Sequence, residues 1–438
     1  MSIFFRLPVE LIDRTLSFVP TEELQYLFEL RSLLFEPIEG ISDPYLTLRH
    51  MALLNYYQGK NLILTNNVSF LSVSSPTSLN ISINELCYLL GRGLIIRPKD
   101  ISFILFNIRD DPSKFLSYIQ VLFQTDILNY LKTATENFNV QIVLARNRQM
   151  INQLLIKNLF TYLNGLNYKI NWFKIRYTGE GNHLEDSNYS NLTIQNLQLH
   201  LFNSQRLITH LSQHSSCLLC DNLKSLDLSF NALNDLSSIK FPPSLTNLNL
   251  SNNSLIELNN FNFNWKNLVN LESLDLSNNN LLRIVLPFRD FQAPYKLSSV
   301  DFSGNNLMDL SFLSKTPLFQ NLEDINLSRN LITHLCRFPE SVRNLNLTGN
   351  YLVTLLEQLN GKIFPSSLQK LDLSCCKVDG PYCTNEFGEL ERMYLTREGL
   401  FELVVGAEHL ANIQWLNLEG NNFPSERSET QAICEFQQ

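Results

Sequence analysis

From residue 223 onward the apolar positions fall into one recurring frame, apolar-x-x-apolar-x-apolar, closed by a polar pair, an amide and one further apolar residue. The copies are LKSLDLSFNAL at 223, LTNLNLSNNSL at 245, LESLDLSNNNL at 271, LSSVDFSGNNL at 297, LEDINLSRNLI at 322, VRNLNLTGNYL at 342, LQKLDLSCCKV at 368, LERMYLTREGL at 390 and IQWLNLEGNNF at 413. Alternation over the L-x-L core predicts a short strand whose leucines share a face. At a period of 20 to 26 residues no copy can bury a core alone, so the strands must stack in register and merge their apolar faces. The amides (Asn231, Asn253, Asn279, Asn305, Asn330, Asn350, Asn421) sit where the chain turns after the strand. A carboxamide there can satisfy backbone groups of its own coil and of the neighbouring one. Cys376 is a replacement that this pattern tolerates, whereas Glu398 predicts an opened turn. FPPSL at 241, FPESV at 338 and FPSSL at 364 place Phe241, Phe338 and Phe364 behind the sheet as core.

This frame at this period resembles the leucine-rich repeat. The implied fold class is α/β: a right-handed leucine-rich-repeat solenoid with a parallel concave sheet, regular over 220–424, with 425–438 as a tail or cap. Upstream, ISFILF at 101, VQIVLA at 140, INWFKI at 170 and NLQLHL at 196 are β-rich runs. Helix-like stretches such as SKFLSYIQVLFQTDILNYLK lie between them. That alternation predicts degenerate, helix-containing repeats over 60–210, and an independent α/β domain at 60–190 is the rival reading.

The first 48 residues read differently. In RLPVELIDRTLSFVP, Pro8 suits the first helical position and Glu10 the first-turn dipole, while Leu7, Leu11, Ile12, Leu16 and Val19 make an apolar stripe that Pro20 ends. Thr21 caps a second predicted helix, EELQYLFELRSLLF. So short a helical segment needs a partner, either the first repeat as an end cap or another chain. LPVELIDRTLSFVPTEELQYL followed by SDPYLTLRHM resembles an F-box, through Leu7, Pro8, Glu10, Leu11, Ile12, Leu16, Ser17, Phe18, Leu24, Asp43, Pro44 and Leu46. Thr15 and Thr47 stand where that family usually has Ile and Trp. The resemblance implies that Leu7, Pro8, Leu11, Ile12, Leu16 and Leu24 dock onto a Skp-type adaptor of a cullin-RING ubiquitin ligase while the repeats hold a protein substrate. The alternative is a repeat scaffold or regulator with no ubiquitin role, its N-terminus only capping the stack.

Composition narrows the partners. Charged residues are only 17% of the chain and apolar ones 44%, which marks a well-packed protein. A formal charge of -8, with no basic cluster carrying interleaved aromatics, argues against nucleic acid. Glu10, Asp13 and Arg14 interrupt any secretory signal, and no uncharged apolar run reaches membrane-spanning length. The expectation is therefore a chain of the cytoplasm or nucleus, monomeric by itself, with eight cysteines acting as small hydrophobes.

Catalytic chemistry finds little support. HLSQHSSCLLC offers His210, His214, Cys217 and Cys220 as zinc-ligand types, but four ligands from one continuous short segment cannot easily surround a metal, and packing is the simpler reading. His183 and Glu185 ahead of that Cys-x-x-Cys outline a zinc deaminase without its proline, since Ser216 stands there. No phosphate loop or nucleophile elbow is present. The chain reads as non-catalytic, with no cofactor or metal. Its outward strand positions are small, polar and uniform, as in Asp227, Asn249, Asp275 and Asp301, until the last two copies. There Arg392, Tyr394, Arg397, Trp415 and Glu419 are the candidate partner-binding residues, being types enriched at interface hot spots or set beside them. The competing reading has the tail fold back over Trp415.

Overall fold

In the computed structural model the described residues are 18–19, 61–65, 78–81, 86–87, 90, 97–107, 127, 129–130, 138–144, 169–177, 193–201, 222–259, 261–286, 295–353, 355, 363–378, 382–384, 390–392, 412–421 and 433–435. The chain divides into two units, Met1–Asn196 and Leu197–Gln438.

The first unit carries β1 (Asn61–Thr65), β2 (Ser78–Ile81), β3 (Asp100–Asn107), β4 (Phe138–Leu144) and β5 (Lys169–Tyr177). All pair in parallel, in the order β2-β1-β3-β4-β5. β2 lies outboard of β1, so the chain steps to one side of β1 and returns past it to β3. Period-two alternation buries Leu62 and Leu64 on β1 and Ile101 and Phe103 on β3. On β5 the inward residues Ile170 and Phe173 are three apart because the register with β4 slips beside Asn171. β6 (Thr193–Leu201) straddles the boundary between the units.

The second unit is the leucine-rich-repeat solenoid. Its strands are three residues each: β7 (Ser225–Asp227), β8 (Asn247–Asn249), β9 (Glu257–Asn259), β10 (Ser273–Asp275), β11 (Arg283–Val285), β12 (Ser299–Asp301), β13 (Asp324–Asn326), β14 (Asn344–Asn346), β15 (Lys370–Asp372), β16 (Tyr382–Thr384), β17 (Leu390–Arg392), β18 (Trp415–Asn417) and β19 (Ile433–Glu435). β7-β8-β10-β12-β13-β14-β15-β18 form a parallel sheet in repeat register, and β9-β11 form a small parallel ladder beside it. β19 runs antiparallel along β18 and covers that edge of the sheet, so the tail joins as a strand.

The frame explains the core. Leu223, Leu226, Leu228 and Leu233 of one repeat, and Leu271, Leu274, Leu276 and Leu281 of another, are all buried. Each amide then ties three segments together. Asn305 Nδ2 donates to the carbonyls of Leu276 (2.9 Å) and Phe302 (3.0 Å), and its Oδ1 accepts the N–H of Leu281 (3.0 Å). Asn253, Asn279, Asn330 and Asn350 repeat the pattern. Cys376 substitutes as expected: its thiol donates to the Leu347 carbonyl at 3.0 Å, and burial pushes its pKa up to about 11, which keeps that donor protonated. Behind the sheet Phe338 and Phe364 stack with centroids 6.2 Å apart, and Phe241 meets Phe263 edge-on. The serines of the same three segments, Ser244, Ser341 and Ser367, donate to the carbonyls of Leu223, Leu322 and Val342 in the preceding repeat.

One expectation from sequence is corrected. The copy at 390 does not supply a strand to the sheet: β17 pairs antiparallel with β16, and β15 hydrogen-bonds directly to β18. Asn421 reaches back past the 390 copy, its Oδ1 accepting from the N–H groups of Cys376 (2.9 Å) and Val378 (3.1 Å). Eight of the nine copies therefore build the sheet. LERMYLTREGL matches the leucine spacing but has Glu398 where the turn needs a carboxamide, and spacing alone cannot close the coil.

Candidate protein-binding surface

Two positions per repeat face away from the core on the concave side. The first runs Ser225, Asn247, Ser273, Ser299, Asp324, Asn344, Lys370 and Trp415, aligned across the strands by backbone register. The second is the Asp/Asn position inside L-x-L, and its uniformity has a local cause. In all eight repeats of the sheet its Oδ1 accepts the N–H two residues on: Asp227 from Ser229, Asn249 from Ser251, Asp275 from Ser277, Asp301 from Ser303, Asn326 from Ser328, Asn346 from Thr348, Asp372 from Ser374 and Asn417 from Glu419. This Asx turn folds the chain out of the strand.

The residue directly after that N–H donor is left-handed in all eight repeats of the sheet. Phe230, Asn252, Asn278, Gly304, Arg329, Gly349, Cys375 and Gly420 have φ between 52° and 72°. Asn and Gly tolerate that region; a bulky side chain does not. Phe230 nevertheless sits there at φ 58° and is 57% exposed, its ring edge-on to His200 with centroids 5.9 Å apart. Sequence reading missed Phe230, although a Phe in a column otherwise held by Asn, Gly, Arg and Cys is a visible signal.

Beside it lies a Ser-His-Asp grouping that is not a catalytic triad. Ser229 Oγ is 3.0 Å from His200 Nε2, but Asp227 Oδ2 approaches the same nitrogen at 3.6 Å, and Ser229 donates its hydroxyl to Asp227 Oδ1 at 2.7 Å. Triad chemistry needs serine and carboxylate on opposite imidazole nitrogens. Burial pushes the Asp227 carboxyl up, but hydrogen bonds from His200 and Ser229 outweigh it and hold the group below its ordinary value. Among the described residues no group of three or more His, Cys, Asp or Glu could hold a metal ion.

At the other end, Trp415 is half-buried on β18 with Lys370 as its neighbour in register. It closes a shallow groove of about 370 Å³ whose lining includes Asp301, Asp324, Asn344, Lys370 and Asp372. A second groove of about 380 Å³ adjoins it through Asn346 and Asp372 and continues to Ser328, Arg329 and Ser303. Glu419 is exposed on the turn after β18. Arg392 lies on β17, which pairs with β16 and not with the sheet that carries Trp415. Tyr394 and Arg397 lie outside the described residues, as do His183, Glu185, His210, His214, Cys217, Cys220, Glu398 and the adaptor-docking set Leu7, Pro8, Leu11, Ile12, Leu16 and Leu24.

Residues 270–291 match the Leucine Rich Repeat family model. The matched segment holds β10, β11 and Asn279. A search of the curated proteins found no match. Among solved structures, an internalin from Listeria monocytogenes is similar at 17% identity, covering 82% of this chain and 88% of its own, with a TM-score of 0.39. A leucine-rich repeat protein from Bacteroides eggerthii aligns at 13% identity over 75% of this chain, with a TM-score of 0.40, and the match spans only 62% of that protein. YopM from Yersinia enterocolitica aligns at 16% identity over 92% of this chain and 74% of its own, with a TM-score of 0.32.

Proposed function

We propose that the chain is a non-catalytic protein-binding scaffold whose concave sheet face receives a protein partner, and that it serves as the substrate-recognition subunit of a Skp-cullin-F-box ubiquitin ligase. The observation that carries the binding role is the pair of adjoining grooves on β12–β18, lined by Asp301, Asp324, Asn344, Lys370 and Asp372 and closed by the half-buried Trp415. A Trp on an otherwise polar sheet supplies apolar contact area where the fold does not require it. The ligase role rests on the F-box resemblance of residues 7–46 followed by repeats. Its mechanism is geometric: a substrate held on the repeats is presented at high effective concentration to the ubiquitin carrier.

Co-purification of the full chain with a Skp-type adaptor, in parallel with a Leu11→Asp, Leu16→Asp variant, tests the ligase role. Adaptor retained by wild type and lost by a variant with unchanged circular dichroism supports it. No retention by wild type reduces the proposal to the scaffold alone.

A further inference from the structure

The Asp/Asn turn position separates what the fold needs from what it merely carries. Asn249, Asn326, Asn346 and Asn417 make the same Oδ1 bond as Asp227, Asp275, Asp301 and Asp372, at 2.8 to 3.1 Å in either case. The carboxylate charge is therefore not required by the turn. It also has a cost, because Asp275 and Asp301 are direct cross-strand neighbours in the parallel ladder, and like charges so placed repel. Asp324 follows on the next strand and lines the groove with Asp301 and Asp372. On the strand-entry side Glu323 is paired with Arg343 at 3.3 Å, and the cations that line the two adjoining grooves are Lys370 in the first and Arg329 in the second. Phe230 adds a second unrequired feature, an exposed aromatic ring held in left-handed backbone.

We propose that the concave face between Phe230 and Trp415 docks an extended, arginine- or lysine-bearing segment of a protein partner, its cations on the Asp275, Asp301, Asp324 and Asp372 carboxylates and on the Trp415 ring. This rests on the scaffold reading above and names the partner's chemistry. Charge complementarity favours a basic occupant, and Trp is the strongest aromatic partner for a cation. Eight strands at the usual spacing span about 34 Å, the length of about ten extended residues. A basic protein segment, rather than nucleic acid, satisfies both the negative face and the aromatic ends.

The test uses the full chain and three fluorescent peptides of about ten residues, alternating serine with arginine, glutamine or glutamate, read by anisotropy. The arginine peptide binds, and higher salt weakens it. An Asp275→Asn, Asp372→Asn variant keeps both turn bonds and loses about tenfold in affinity, with an unchanged melting curve, and Trp415→Ala weakens binding by a similar factor. Arginine-peptide binding that is absent, or indifferent to both variants, overturns the proposal. Binding of the glutamine or glutamate peptide at equal or higher affinity, still lost in Trp415→Ala, overturns the basic partner while leaving the concave-face reading standing.

Discussion

The two units solve the same problem, a stack of parallel strands, in different ways. In the first, β3, β4 and β5 are eight, seven and nine residues long, and main-chain ladders of seven paired residues connect β3 to β4 and β4 to β5. In the second, strands of three residues are supplemented by a side chain that does backbone work, the column from Asn231 to Asn421. Among the described residues of the first unit, Asn139 donates to Ser102 at 3.3 Å while its buried Oδ1 has no partner, and Asn196 donates to the Asn171 carbonyl at 2.8 Å, without the fixed column that the second unit has. Long strands leave a sequence free to vary. Short strands force a residue type into a fixed column, and the columns are what make the second unit legible.

The comparison breaks most severely at that column. Asn305→Ala leaves two carbonyls and the Leu281 N–H without their buried partner, and urea denaturation should show a loss of about 3 kcal/mol. Gly304→Ala comes next, at about 2 kcal/mol, because φ is +64° and a Cβ would stand 2.5 Å from Asn278 Oδ1. Gly349→Ala shares the left-handed backbone but meets its nearest atom at 3.5 Å, so only the conformational cost of about 1 kcal/mol remains. A reversed order of the two glycine variants would refute the steric part of the account.

Two smaller effects sharpen the same contrast between fold and function. Phe230→Asn places a left-handed-tolerant residue in its column and should raise stability by about 0.5 to 1 kcal/mol in the same denaturation series. A stability gain there marks Phe230 as a residue that the fold does not require. Asp227 adds a pH dependence of its own. Its folded pKa is depressed, so its contribution is present above the unfolded value near 4 and is lost as pH falls through the folded one. Asp227→Asn should flatten that part of the acid limb, measured as midpoint against pH below about 5.

How much could be read from the chain follows from these columns. The L-x-L strands, the amide ladder, the Cys376 substitution and the buried Phe241, Phe338 and Phe364 were legible because each is a residue type imposed at a fixed offset. The failure at 390 shows the limit: LERMYL carries the leucines, yet strand addition also needs the turn to close, and Asn421 closes it from farther along the chain. The β2-β1-β3 order was hidden because alternation fixes which face is buried and not the direction of the next crossover. Of the binding surface, Trp415 was legible as an unusual residue on a polar row. Phe230 was visible only as a Phe in a column otherwise held by Asn, Gly, Arg and Cys; that the column is left-handed, which makes it anomalous, is a backbone property.

The most direct test of the central claim is photocrosslinking of the full chain by the arginine–serine peptide carrying a benzophenone at its centre, with the adducts located by mass spectrometry. The account predicts adducts on the concave rows, at β12–β15 and beside Trp415. The flank opposes that prediction with an exposed apolar ridge of its own, Ile256, Leu282 and Met308. Adducts concentrated on that ridge would contradict the assignment of the concave face as the docking surface.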